Sequence, residues 1–211
     1  MIRRALLAPT AILIALLAVT NAGEAAGARW AIKPSSLVLA PSGFPGLAGA
    51  SIRMATARSA IAWTINVQQE SPKHGRAVAA RLNREGFREG AAEYLTKPEE
   101  AIGLSAAEVL GSTRAAGDEA AASVSGQRHE LGAGTTTFSV AGVPRAVGLQ
   151  QTSLSVFPEF GLFPTMVDFP AGRCMLTLFL GVKPSVTPAI AETEAAAAAS
   201  ALYRKVKRRC A

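Results

Sequence analysis

Cysteine occurs at two positions in this 211-residue chain, and the residues around them tie one strand to one helix. Cys174 opens the run Cys174-Met175-Leu176-Thr177-Leu178-Phe179-Leu180. Side chains alternate across a strand, so Cys174, Leu176, Leu178 and Leu180 share one apolar face. Cys210 closes the row Ala198, Leu202, Val206, Cys210, which repeats every four residues as the apolar stripe of a helix does. Both thiols therefore point at buried surface, and the last helix is expected to lie on the sheet face that carries Cys174. Two states are open to such a pair, a disulfide or two buried free thiols, and the compartment decides between them.

The compartment is read from the first residues. Met1-Ile2-Arg3-Arg4 precedes an apolar run from Ala5 to Val19, interrupted only by Pro9 and Thr10. A basic start, a short apolar stretch and then small residues is the pattern of a secretory signal peptide. Thr20-Asn21-Ala22 and Ala26-Gly27-Ala28 both offer small-x-small geometry, so residues 1–28 read as a signal peptide cut after Ala22 or Ala28. The rival, an uncleaved anchor, needs roughly 20 apolar residues to span hydrocarbon, and the run is shorter. No later stretch is apolar enough either, so the mature chain is expected to be secreted or held in the periplasm or cell envelope, with no transmembrane segment. Oxidising conditions there favour the Cys174–Cys210 disulfide, which would close a loop of about 36 residues and stabilise by roughly 4 kcal/mol. A CxxC-type redox role is excluded by the spacing.

Removing the leader leaves roughly 180 residues, the size of one domain. Hydrophobic residues make up 49% of the chain and charged ones 18%, so it can bury a core; aromatics at 6% leave much of the packing to alanine and valine. Residues 29–70 form a Pro/Gly-rich N-terminal segment, with Ser36-Leu37-Val38-Leu39 as a short strand and Ala60 to Ile65 as a strand or buried segment. Residues 71–211 form the core of the domain.

Within that core Ser71 and Pro72 open a helix running to Glu85, closed by Gly86 with Phe87 folding back onto Leu82. A strand from Phe87 to Leu95 follows. Ser105-Ala106-Ala107-Glu108 has the spacing of a capping box, which would start a helix there. The reading adopted instead is a strand from Ile102 to Leu110 and a helix beginning at Thr113, because Arg114 to Glu130 is alanine-rich. Thr135 to Val140 and Ala146 to Leu149 are strand-like, and Phe157 to Pro164 reads as a loop. Met166 to Phe169, a Pro170-Ala171-Gly172-Arg173 turn and the strand from Cys174 make a hairpin. Pro184 and Pro188 lead into a last helix from Ala189 to Arg209. Strands joined by hairpins, with no run of βαβ units, predict an α+β domain: a mostly antiparallel sheet with flanking helices, the C-terminal one packed on the sheet.

Chemistry-bearing motifs are scarce. No G-x-S-x-G turn marks a hydrolase. His74 and His129 fall on helix ends where solvation or the helix dipole accounts for them. Two distant histidines and two apolar-face cysteines give no closed metal set. Glu99-Glu100 and Asp118-Glu119 read as solvated charge, and Gly132-Ala133-Gly134 lacks the third glycine of a phosphate cradle. No catalytic, cofactor-binding or metal-binding residue is therefore assigned, and the reading leans away from an enzyme. Two surfaces are candidates. Phe157, Phe160 and Phe163 form an aromatic loop that either folds under the sheet, the favoured reading, or is exposed to meet a ligand or an envelope protein. Arg204, Lys205, Lys207, Arg208 and Arg209 form a basic end that could touch an anionic surface weakly, or simply complement the helix dipole. Nucleic acid is not expected, for an exported chain lacks both access and stacking platforms.

The runs Leu82-Asn83-Arg84-Glu85-Gly86-Phe87, Phe138-Ser139-Val140-Ala141-Gly142-Val143-Pro144 and Leu202-Tyr203-Arg204-Lys205-Val206 resemble uncharacterised exported bacterial α+β proteins, and the element order is similar to the PsbP and Mog1 group. The resemblance covers most of the chain from Ser71. It implies a sheet with flanking helices and a non-enzymatic domain that binds a ligand or partner. No functional residue is carried over from it. The rival readings are an envelope hydrolase whose site (Asp168, Glu159 or His129) assembles only in three dimensions, and a peripheral anionic-surface binder.

Overall fold

A computed structural model of the chain describes residues 33–39, 48–54, 72–97, 101–152, 161–183 and 185–211. Contacts divide the chain into Met1–Ala31 and Ile32–Ala211, and every described residue belongs to the second unit. Its strands are β1 (Ala48–Met54), β2 (Glu89–Lys97), β3 (Ala101–Val109), β4 (Thr135–Phe138), β5 (Val147–Gln151), β6 (Phe163–Ala171) and β7 (Cys174–Val182). Its helices are α1 (Pro72–Arg84), α2 (Thr113–Leu131) and α3 (Pro188–Val206), with a 3-10 turn at Pro34–Ser36.

The strands form one seven-stranded sheet in the order β1-β2-β3-β7-β6-β5-β4. Every neighbouring pair is antiparallel. After β3 the chain crosses through α2 to the far edge, then returns by the successive strands β4 to β7 until β7 closes against β3. That register sets Leu104 opposite Phe179 and Val109 opposite Cys174. The α+β class, the antiparallel sheet and the packing of the C-terminal helix all agree with the sequence reading.

Alternation gives the two faces different chemistry. One face carries Ala107, Val109, Val167, Phe169, Cys174, Leu176, Leu178 and Leu180, all buried in the larger core. Helix α3 covers it with Ala191, Ala195, Ala199, Leu202 and Val206, an i,i+4 stripe of small and branched residues. Cys210 lies beyond the helix and joins Cys174 in a disulfide, Cα–Cα 5.6 Å. The amide of Arg173 donates to the Cys210 carbonyl at 2.7 Å, so the β6–β7 turn and the chain's last residues are pinned together. The other face carries a smaller cluster of Leu82, Ala92, Leu110, Ala115, Ala116, Ala120 and Met175 beneath α1 and α2.

Adjacent glutamines of β5 tie the two layers to the sheet. Gln151 donates to the carbonyls of Leu131 and Ala133 at the end of α2, at 2.9 and 3.0 Å. Gln150 donates to the Pro188 carbonyl at the start of α3, at 2.7 Å, and to Thr165 Oγ1. One residue of offset sends them to opposite faces.

Local chemistry explains most boundaries. Gly86 takes φ +70°, and the Phe87 amide reaches back to the Leu82 carbonyl at 2.9 Å, the predicted helix closure. Ser112 caps α2 by accepting from the Ala115 amide, while Ser105 lies buried in β3, so the strand-then-helix reading is the one the fold adopts. Thr187 caps α3 in the same way, with Pro188 at its first position.

Other boundaries differ. Leu37, Val38 and Leu39 do not form the expected strand. They follow the 3-10 turn as buried core residues, and the Leu39 amide donates to Ser105 Oγ, where a strand would need a neighbouring ladder. The β1 strand was not expected, because Ala48-Gly49-Ala50-Ser51 lacks the branched residues that mark strands. Phe163 and Pro164 belong to β6 rather than to a loop. Helix α3 ends at Val206, and residues 207–209 form a turn. The expected leader (1–28) and the expected segment from Ala60 to Ile65 lie outside the described residues.

Candidate functional site

The densest unusual chemistry lies where α1 and α2 meet the smaller core. Arg81, in the last turn of α1, donates to both carboxylate oxygens of Glu119 on α2, through Nε and Nη2, each at 2.6 Å. Glu119 is 4% exposed. It occupies the same helical stripe as Ala115, Ala116 and Ala120, which is why it faces the sheet. This corrects the expectation that Asp118-Glu119 is solvated charge. Asp118 is indeed exposed and pairs loosely with Arg114 at 3.5 Å, but Glu119 is buried and bonded.

Three further carboxyls crowd this pair. Burial first, then the nearby Glu119, push the Glu85 carboxyl at the end of α1 up to about 7, against the opposing pull of Arg81. Glu108 on β3 is pushed up to about 8, chiefly by desolvation and next by the Glu119 charge. Asp168 on β6 is 1% exposed and is pushed up to about 6 by burial, with Glu119 adding to the effect. Ser123 and Gln127 of α2 and Thr177 of β7 approach Asp168 and work against that shift. None of them reaches bonding geometry: both Asp168 oxygens are buried without a hydrogen-bond partner. Burial would lower the Arg81 pKa, but Glu119, with Glu85 and Glu108 behind it, holds it above its ordinary value.

One guanidinium therefore faces three carboxyls, those of Glu119, Glu85 and Glu108. Carboxylic acids desolvated in this way hold their protons to higher pH than solvated ones do. Among the described residues no group of three His, Cys, Asp or Glu side chains is placed to hold a metal ion. Beside Glu85 an open depression of about 360 Å³ is lined by Arg84, Gly86, Ser112, Arg114 and Asp118 at the start of α2.

The residues singled out from sequence fall elsewhere. Cys174 and Cys210 are joined, both fully buried. Phe157, Phe160, Glu159, Glu99 and Glu100 lie outside the described residues; Phe163 pairs with Val182 at the start of β6. His129 is exposed in the last turn of α2, and His74 falls in the first turn of α1. Arg204, Lys205, Lys207, Arg208 and Arg209 are all exposed at the end of α3. Two of them also hold the N-terminal segment: Lys205 Nζ donates to the Val38 carbonyl at 2.9 Å and Arg209 Nη1 to that of Ser36 at 3.4 Å. Burial, then Arg209, lowers the Lys205 pKa, and Lys207 lies over the Tyr203 ring at 5.9 Å.

The fold has a known counterpart. It is similar to the extracellular domain of PknH from Mycobacterium tuberculosis, with a TM-score of 0.54 and 14% identity, over 82% of this chain and 94% of that one. At that identity the likeness is one of fold. No protein-family model matches the chain, and no curated protein matches it in sequence. The resemblance in element order to PsbP and Mog1 is not shown by these comparisons.

Sequence reasoning missed the carboxylate cluster. A signal existed in each segment: Glu119 falls on the alanine stripe of α2, Glu108 shares the face of Ala106 on β3, and Asp168 interrupts an apolar strand. What no single segment shows is that these faces meet.

Proposed function

We propose that this chain is an exported, non-enzymatic domain that binds a ligand or partner protein in the cell envelope. The observation that carries the reading is the fold similarity to an extracellular domain. The disulfide supports it, since such bonds persist in oxidising compartments. So does the absence, among the described residues, of any helix long and apolar enough to cross a membrane. The signal peptide over residues 1–28 belongs to this proposal, as does the aromatic segment Phe157, Phe160 and Phe163 as its contact surface. Expression of the full chain with a C-terminal tag in a bacterial host tests export. A tagged product outside the cytoplasm, beginning at Gly23 or Arg29, is expected; an intact chain that stays in the cytosol overturns it.

A second reading is favoured by the five exposed cations at the end of α3, which would attach the domain to anionic polymers or headgroups. Such binding weakens with salt. Release of the protein from envelope fractions by raised ionic strength is its expected mark, and release indifferent to salt rejects it.

A further inference from the structure

Helix α2 is docked on the sheet by little apolar surface. Its buried residues are Ala115, Ala116, Gly117, Glu119, Ala120 and Leu131, so none between Ala120 and Leu131 is fully buried. Across that gap the helix presents Ser123 and Gln127 to Asp168, a carboxyl sealed from water with both oxygens unpartnered. A charged carboxylate in such a place has no solvent and no donor in bonding geometry, whereas the neutral acid is tolerated.

Among the described residues the surrounding elements offer Asp168 no facing cation, and Ser123, Gln127 and Thr177 offset its burial only in part. From β7 the facing group is Thr177, and that strand carries no ionisable side chain apart from the bonded Cys174. From β5 the partner is Val147, and that strand has none. Arg145, just before it, rests its guanidinium against Gly117 instead. From β3 comes Glu108, which adds negative charge. From α2 the facing charge is Glu119, while Arg114, Asp118, Arg128, His129 and Glu130 are exposed. Behind Glu119 lie Arg81 and Glu85 of α1, and the Arg81 fork is already taken up by Glu119. Helix α3 packs on the opposite face.

We propose that α2 is a proton-dependent lid: it stays seated on the sheet while Asp168 beneath it is protonated, and it loosens when Asp168 ionises, the half-buried Glu108 on the same sheet face adding its negative charge. The proton is the ligand, and the Asp168 carboxyl is its site. Helix α3, closed by its apolar stripe and by the disulfide, is the built-in reference that should not respond. The inference stands independently of the export reading, for it uses only the described fold.

Amide hydrogen exchange on the intact folded chain tests it, after correction for intrinsic exchange rates. Between about pH 5 and about pH 8, α2 protection is expected to fall by about tenfold or more relative to α3. In Asp168→Asn and Glu108→Gln chains, compared with wild type at each pH, that fall should shrink. If either variant fails to fold, the wild-type comparison of α2 with α3 decides alone. Protection of α2 that changes no more than that of α3, or a wild-type fall kept in full by both variants, overturns the proposal.

Discussion

Arg81 grips Glu119 with two hydrogen bonds of 2.6 Å across the gap between α1 and α2, and Glu119 is sealed beneath the helix that carries it. The pair anchors the first half of α2. A bidentate fork satisfies both carboxylate oxygens, which offsets the desolvation of Glu119.

Removing one member should therefore cost more than removing both. Arg81→Met leaves Glu119 buried without a partner, and we expect a loss of about 2–3 kcal/mol, below the fully buried case because Arg81 is partly in water. Arg81→Met with Glu119→Leu should recover much of that. Urea midpoints for the two singles and the double check this, and an Arg81→Met midpoint equal to wild type contradicts it.

The disulfide makes the C-terminus part of the core. Replacing Cys174 and Cys210 by alanine should destabilise by about 4 kcal/mol through the freed unfolded chain alone. Thiol titration of denatured, unreduced protein should find no reactive cysteine. Two reactive thiols would contradict the bond.

Gly172 is where the β6–β7 turn meets that terminus. It has φ +54°, and a Cβ there would run into the Cys210 carbonyl. Gly172→Ala faces both a strained backbone and a rigid neighbour, so we expect a loss of about 2 kcal/mol or more. A thermal midpoint matching wild type would show that the turn yields freely.

The apolar side of this fold was legible in the sequence, because alternation in Cys174–Leu180 and the four-residue row ending at Cys210 each declare a face. Two faces that each declare themselves need only be put together. Helix ends were legible at Gly86 and Pro188 for the same reason: their chemistry is local. The acidic side was not. Glu108, Glu119 and Asp168 come from three elements, and a lone carboxylate in an apolar pattern looks the same whether water or a helix covers it. Strand β1 was hidden because its glycine and alanine take their extended form from pairing with β2, a tertiary effect.

The raised carboxyls fix the sign of the pH dependence. Glu85, Glu108 and Asp168 bind protons more tightly when folded, at about 7, about 8 and about 6. Their contribution is fully present below the ordinary carboxylate range, near about pH 4. It is lost as pH rises through those folded values. The urea midpoint should thus be lower at about pH 8.5 than at about pH 5.5, and Glu108→Gln should reduce the difference. A midpoint that climbs across this range contradicts the assignment.

The most direct measurement is the carboxyl carbon chemical shift of Asp168 and Glu108, followed by NMR as the folded protein is titrated. With Asp168 sealed beneath α2 and Glu108 half-buried on the same sheet face, the midpoints should fall at about 6 for Asp168 and about 8 for Glu108. Midpoints for both at the ordinary value of about 4 would mean that water or a donor reaches them, and the proton-held seat of α2 would not exist.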